Sequence, residues 1–539
     1  MQLSPNWRRW FQGPPSRAWI IFAIIWACLW RVEHRYHYRN FFFDTQLQLS
    51  AMQQWMEGQG WNNPVFQEND LARPGAATAE RFMPAYAGVV ALAYLLTGDW
   101  LTASFGTDAV LLILILWGWA QLLAWLLGGW RSWWIVFFLL WQAFSPAPLH
   151  YMAGGGLLSL AAFLWAVYAL LLHLNRPQAG FVLGPVYLGL LALAAWSRYA
   201  YFPFLFLPLG AWGGKSLWQK KAIPWKLLSS LLFLTLIGVM SLAWGKDWSE
   251  SYLTAQTRQW FWEHWLHWDP FPFKAFFYFG IPHELGLFYI HESLYYGLSL
   301  LAYLVSGLIL LLLMWQGWNI WKQAEAPTAW GLYLGTLALV LAANLVMLAY
   351  LSLVWPPQDW NWTGFWTFVM ETRYYMPSMT LIILAVIYSG QKLPQGYLRR
   401  ACQLLLLLSL CAAYSYPLWL KVKVYAKGET AGTFVSQAHQ LIHDSVKALS
   451  ERTDHVIWVS MEPLQHTGEL AGGNSLPARH ILTLDQIPAS LPVEILWVEP
   501  LGTPAHSAPL QKLVDKGAVL WQENAYFQVF RLTFGPNEP

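Results

Sequence analysis

Eleven apolar runs in succession constrain this chain more than any other feature. They fall near 18–37, 107–127, 132–148, 154–173, 180–197, 200–213, 227–244, 294–315, 330–354, 376–389 and 401–419. A helix needs roughly 20 mostly apolar residues to cross the hydrocarbon core of a bilayer. Most of the runs meet that length, and those at 200–213 and 376–389 depend on their flanks. The expected fold class is therefore an all-α polytopic membrane protein. Composition agrees: only 11% of residues are charged, where a soluble domain carries about 25%. The 38 Trp within a 17% aromatic fraction suit membrane–water interfaces. Disorder and a disulfide scaffold are excluded, the latter because Cys28, Cys402 and Cys411 are the three cysteines and all lie in apolar runs. No Lys/Arg stripe stands apart from the loops, so nucleic acid is not an expected partner.

Sidedness follows from the basic residues. With the N-terminus cytoplasmic, the loops on that side hold Arg131, Arg176, Lys215, Lys220, Lys221, Lys226, Lys322, Lys392, Arg399 and Arg400. Two long segments, 38–106 and 245–293, then face outward, and the tail is external. Residues 1–419 form the membrane domain of this reading, and 420–539 an external soluble domain. The tail has 9 Lys/Arg and 12 Asp/Glu, so its charge density is higher. Its patterning predicts helix 430–450, strand 455–460, strand 479–483, strand 493–498, helix 507–516 and strand 525–533. Helices between strands suggest a small α/β domain.

The first external segment carries the most chemistry. Asp44 stands where the chain leaves the membrane, directly before residues 45–57, which lack Gly and Pro. Leu47, Ala51 and Trp55 recur at four-residue spacing against a Gln-rich remainder, which predicts an amphipathic helix along the membrane surface, ended by Gly58 and Gly60. Asp44 reads in two ways. It is a helix cap worth about 1 kcal/mol, or a carboxylate at the mouth of a bundle placed to take a proton from an incoming hydroxyl. A loop of some 20 residues follows, then Arg81–Phe82–Met83–Pro84 opens an apolar helix over 85–96 that ends at Thr97–Gly98–Asp99. Two other stretches place charge at span ends: Trp196–Ser197–Arg198–Tyr199, and Glu371–Thr372–Arg373–Tyr374–Tyr375–Met376–Pro377.

The order of these pieces resembles the glycosyltransferase C superfamily, in the branch of aminoarabinose transferases and protein O-mannosyltransferases. Those are polytopic enzymes that take a sugar from a polyprenyl-phosphate carrier on the external face. The resemblance covers most of the chain in layout and about forty residues in motif. It implies an inverting hexosyl- or pentosyltransferase in a bacterial inner or plasma membrane, with a lipid, glycan or protein acceptor. The first-loop Asp of the family maps onto Asp44 as catalytic carboxylate. The Arg-Tyr-x-x-Pro signature maps onto Arg373, Tyr374 and Pro377, and the family's Arg-containing turn onto Arg198. Arginine suits a carrier phosphate because its planar fork gives two charge-assisted bonds. Arg198 and Arg81 are further donor-binding candidates; Tyr374, Glu371, His283 and Glu284 are candidates for the sugar and acceptor. One departure concerns metal. Many relatives carry an acid in the loop after the third span, and 145–156 here holds none, so a divalent ion between two loop acids has weak support and no metal ligand is assigned. The rival readings are a transporter or flippase, which should place charge near the bilayer midplane, and a non-catalytic envelope-polysaccharide assembly protein, which would not depend on Asp44.

Overall fold

A computed structural model describes residues 17–37, 43–65, 70–73, 75–78, 83–130, 132–144, 155–176, 178, 180–219, 311–322, 328–354, 376–392, 431–460, 473–476, 478–487, 489–501 and 508–535, with isolated positions at 225–236 and 308. In chain order the helices are α1 (Arg17–His37), α2 (Phe43–Met56), α3 (Ala85–Thr97), α4 (Trp100–Leu127), α5 (Trp133–Phe144), α6 (Gly155–Asn175), α7 (Gly180–Ser197), α8 (Leu207–Trp218), α9 (311–322), α10 (Ala329–Val354) and α11 (Met376–Lys392). The chain divides into two compact units, one of residues 1–32 and 108–421, the other of 33–107 and 422–539.

Among the described residues, three helices are long and apolar enough to cross a membrane: Thr102–Leu127, Gly155–Asn175 and Ala329–Val346. They coincide with three of the expected runs. The runs at 18–37, 132–148, 180–197 and 376–389 also form helices, while 401–419 lies outside the described residues. Two boundaries differ from expectation. α4 begins at Trp100 and not near 107, because the Asp99 carboxylate accepts the Thr102 N–H at 2.7 Å and caps the helix early. The run at 200–213 is split into a 3-10 helix, Tyr199–Phe206, and α8. Pro203 and Pro208 cannot donate to a continuous α ladder, which explains the break. α6 is the most enclosed of the three spans. Small residues let it approach α7: the buried Ser159 hydroxyl lies 2.7 Å from Gly155 O and 3.0 Å from Ala194 O. Trp165 Nε1 donates to Leu114 O of α4 at 3.1 Å, and Tyr333 Oη of α10 donates to Leu381 O of α11 at 2.7 Å.

The second unit holds a mixed five-stranded sheet. Its strands are β3 (Val456–Ser460), β4 (Asn474–Ser475), β5 (Val493–Pro500), β6 (Val519–Glu523) and β7 (Phe527–Phe534), in the order β4-β3-β5-β7-β6. β3 runs parallel to β4 and β5; β7 is antiparallel to β5 and β6, with Glu494 opposite Thr533. Alternation sends β5 residues to both faces. Leu496 and Val498 pack with Ile442, Val446 and Leu449 of the helix Ala431–Ser450. Ile495 and Trp497 pack with Leu510 and Leu513 of Ala508–Asp515. The α/β reading of the tail is thus the observed one, with two corrections. The strand expected at 479–483 is a short helix, Ala478–Leu482; its Ile481 packs under the sheet, and β4 lies earlier, at Asn474–Ser475. β6 is an edge strand missed by the pattern, because only one side of it is paired and Val519, Leu520 and Glu523 are exposed.

The segment 38–106 belongs to this same unit. Its expected loop contains an antiparallel ribbon, β1 (Asn62–Val65) with β2 (Gly75–Thr78). Gly58, at φ +82°, ends α2. Gly98, at φ +69°, ends α3 with its N–H on Tyr94 O; an L side chain is strained in that left-handed region. The amphipathic, interfacial character expected of α2 is corrected. Gln46 (2% exposed), Gln48 and Ser50 are as buried as Leu49, Ala51 and Met52, whereas Trp55 is 60% exposed. The helix is wrapped by α3 and by β1 on more than one side, so burial does not follow its apolar stripe.

Candidate functional site

Of the expected site residues, two fall among the described ones. Asp44 is the second residue of α2, which puts its backbone in the first turn, at the positive end of the helix dipole. An anion is favoured at such a helix end by several tenths of a kcal/mol. Arg198 is half-buried at the junction of α7 and the 3-10 helix. Its extended backbone (φ −155°, ψ 121°) turns the chain, its N–H bonds Ala194 O, and its carbonyl accepts the Tyr201 N–H at 3.0 Å. The Tyr201 hydroxyl beside it is buried with no partner among the described residues. Arg81, His283, Glu284, Glu371, Arg373 and Tyr374 lie outside the described residues. Asp44 and Arg198 belong to different units.

Around Asp44 the chain is polar and buried. Thr45 and Gln48 follow it on α2, one and four positions on. Both are nearly fully buried, and Thr45 Oγ1 and Gln48 Oε1 have no partner among the described residues. Leaving such an atom unsatisfied costs about 1–3 kcal/mol. α3 packs on α2 through Gly88, whose position a Cβ would fill 3.8 Å from Met52 Cε. From α3, the buried Tyr86 hydroxyl pairs with Ser104 Oγ of α4 at 3.1 Å. One turn further along α4 stand Thr107 and Asp108, both buried. Asp108 escaped the sequence reading, although an acid inside an apolar span is itself a signal; it lies on the stripe continued by Leu112, Ile115 and Trp119.

The segment between β1 and β2 is held by the α/β domain of the same unit. Leu71 is fully buried among Trp458, Ile495 and Leu532, and Trp458 Nε1 donates to Leu71 O at 2.8 Å. Asp70 accepts the Ser490 N–H at 2.9 Å, the Ser490 hydroxyl, and the Ala72 N–H at 3.0 Å. The Ser490 bonds above all hold the Asp70 carboxyl below the usual carboxylate range. Elsewhere in the sheet the buried Glu494 carboxylate is gripped by Arg531, Nε at 2.9 Å and Nη2 at 2.8 Å, with Thr533 Oγ1 at 3.2 Å. That bond raises the Arg531 guanidinium above its ordinary value. This pair is structural, as it joins β5 and β7 diagonally, two residues off register on one face of the sheet. Among the described residues no group of three or more His, Cys, Asp or Glu could hold a metal ion. No protein-family model, curated protein or solved structure matches the chain.

Proposed function

We propose that this chain is a membrane glycosyltransferase that moves a sugar from a polyprenyl-phosphate carrier to an acceptor hydroxyl on the external face, in the manner of the glycosyltransferase C superfamily. In this reading the eleven apolar runs are spans, the N-terminus is cytoplasmic and the α/β tail is external. Asp44 takes the acceptor proton as the acceptor oxygen bonds to the anomeric carbon. The bond from that carbon to the carrier phosphate breaks on the opposite side, its electron pair leaving with the phosphate, so the configuration inverts. Arg373, with Arg198 and Arg81, serves the phosphate; Tyr374, Glu371, His283 and Glu284 serve the sugar and acceptor. The observation that supports the reading best is the first turn of α2, where Asp44 is followed by Thr45 and Gln48, buried side chains whose Oγ1 and Oε1 have no partner among the described residues. A plain surface cap has no use for them.

The test uses purified protein in a bilayer with a panel of polyprenyl-phosphate sugars, comparing wild type with Asp44→Asn. Asn caps a helix about as well as Asp, so a capping role leaves turnover intact. Loss of a general base lowers turnover about 10²–10⁴-fold with little change in donor affinity. Near-normal turnover in a folded Asn variant removes Asp44 from the mechanism. The transporter reading draws on Asp108, a buried carboxylate inside a candidate span. It requires the opposite pattern, in which Asp108→Asn abolishes function and Asp44→Asn is silent.

A further inference from the structure

Within the first unit, α8, α9 and α10 enclose an open apolar groove of about 520 Å³. Its walls include Trp218, Leu313, Met314, Trp318 and Leu334, and Met314 and Trp318 are largely exposed. The groove exists because glycines line it. Gly331 lets the Trp218 ring lie against α10, where a Cβ would come within 2.1 Å of Cη2. Gly214 and Gly335, in contrast, have nothing among the described residues within 4 Å of an added Cβ.

One end of this groove is basic. Lys215 lines it, only 9% exposed, with Nζ donating to Leu174 O and lying 4.9 Å from the Trp212 ring centroid. Lys322, at the end of α9, stands 4.8 Å over Trp318. Lys392, at the end of α11, stands 5.5 Å over Tyr388, whose ring packs at 4.4 Å on Trp330 next to Gly331. Arg176 follows two residues after the lining Leu174. Lys215, Lys322, Lys392 and Arg176 thus each stand in the last turn of a helix or just past its end. From that end the groove follows α10 from Gly331 to Leu341. Ten residues of helix span about 15 Å, which is half the roughly 30 Å hydrocarbon core. The groove is one leaflet deep, with apolar walls below a basic rim.

We propose that this groove binds a single acyl chain of an anionic phospholipid, with the headgroup phosphate at Lys215 and Lys322. The depth fits a chain of one leaflet, and the rim selects the phosphate's negative charge. The site is separate from the proposed chemistry at Asp44 and does not depend on it.

The experiment reads lipid retained by the full-length protein after transfer from phosphatidylcholine nanodiscs doped with phosphatidylglycerol, by native mass spectrometry. Wild type is expected to retain phosphatidylglycerol over phosphatidylcholine. Lys322→Gln removes one interfacial cation and should lower that preference about fivefold. Gly335→Leu and Gly214→Leu fill the open space and should abolish retention while leaving the melting temperature intact. Unchanged retention in the filled variants overturns the proposal, as does equal retention of the two lipids. Failure of both filled variants to fold overturns it too, because the space would then be occupied. So does a photo-crosslinker at position 335 that captures another part of this chain and no lipid.

Discussion

Replacing Leu71 with Ala should unfold the α/β unit early, although Leu71 lies far from the tail in sequence. The side chain is fully buried in a cluster with Trp458, Ile495, Leu532 and Phe534. Those partners sit on β3, β5 and β7, which are fixed by ladder bonds on at least one side and cannot close over a void. Leu→Ala in a core costs about 2–5 kcal/mol, more where the site cannot collapse, so about 3 kcal/mol is a conservative figure. For a unit of about 190 residues, each kcal/mol shifts the melting temperature by about 2–4 °C. The expected fall is about 6–12 °C in the transition of this unit. Limited proteolysis should show cleavage between residues 58 and 82 rising in parallel, since the same substitution frees the segment. The assay is differential scanning fluorimetry of the full-length protein, following Trp458 and Trp497, with proteolysis at fixed temperature. A transition unchanged within 2 °C, with no new cleavage, would refute the docking of Leu71 in the tail core.

Three other outcomes follow from the same geometry. Asp70 titrates low in the folded state, so its contribution is complete above the ordinary carboxylate value of about 4 and disappears as pH falls through the lower folded value; the melting difference between wild type and Asp70→Asn should be full at pH 7 and vanish in strong acid, and a difference that grows on acidification contradicts this. Arg531→Met strips the buried Glu494 carboxylate of its guanidinium, leaving it Thr533 Oγ1 and His455 Nδ1 at 3.5 Å, and should cost about 3–5 kcal/mol, while the double variant with Glu494→Leu should recover much of it; a double variant as unstable as the single one defeats the argument, by thermal melting. Gly331→Ala drives a methyl into the Trp218 ring and should cost about 1–3 kcal/mol, whereas Gly335→Ala meets open space and should be neutral or gain up to about 1 kcal/mol of helix propensity; equal melting temperatures would show that Trp218 moves freely.

Elements with strong period were legible in the sequence. Three expected spans coincide with candidate membrane helices, and Val456–Ser460 and Val493–Pro500 stand out as short apolar runs between polar turns. Ala478–Leu482 was not legible, because five residues can make a strand or a helical turn, and what decides is the packing of Ile481 under the sheet. α2 was legible as a helix, from its lack of Gly and Pro, but its faces were not: glutamine reads as surface, and only neighbours distant in sequence bury Gln46 and Gln48. The same limit applies to the candidate site. Asp44 could be singled out from its place at the end of an apolar run. The unsatisfied Thr45 and Gln48, the docking of Leu71 and the basic groove are tertiary facts with no local period to announce them.

The unit that holds Leu71 is discontinuous in the chain, and this imposes a waiting time on its birth. Residues 33–107 leave the ribosome first, and their partners, 422–539, come only after the whole intervening stretch of more than 300 residues. At about 5–20 residues per second, that interval lasts roughly 15–60 s. Through it Leu71 has no core and Asp70 has no Ser490. The nascent segment must therefore stay uncommitted while the residues between are made. Its high proportion of Gln, Asn and Gly around positions 46–75 suits a segment that must not find the wrong partner before the right one exists.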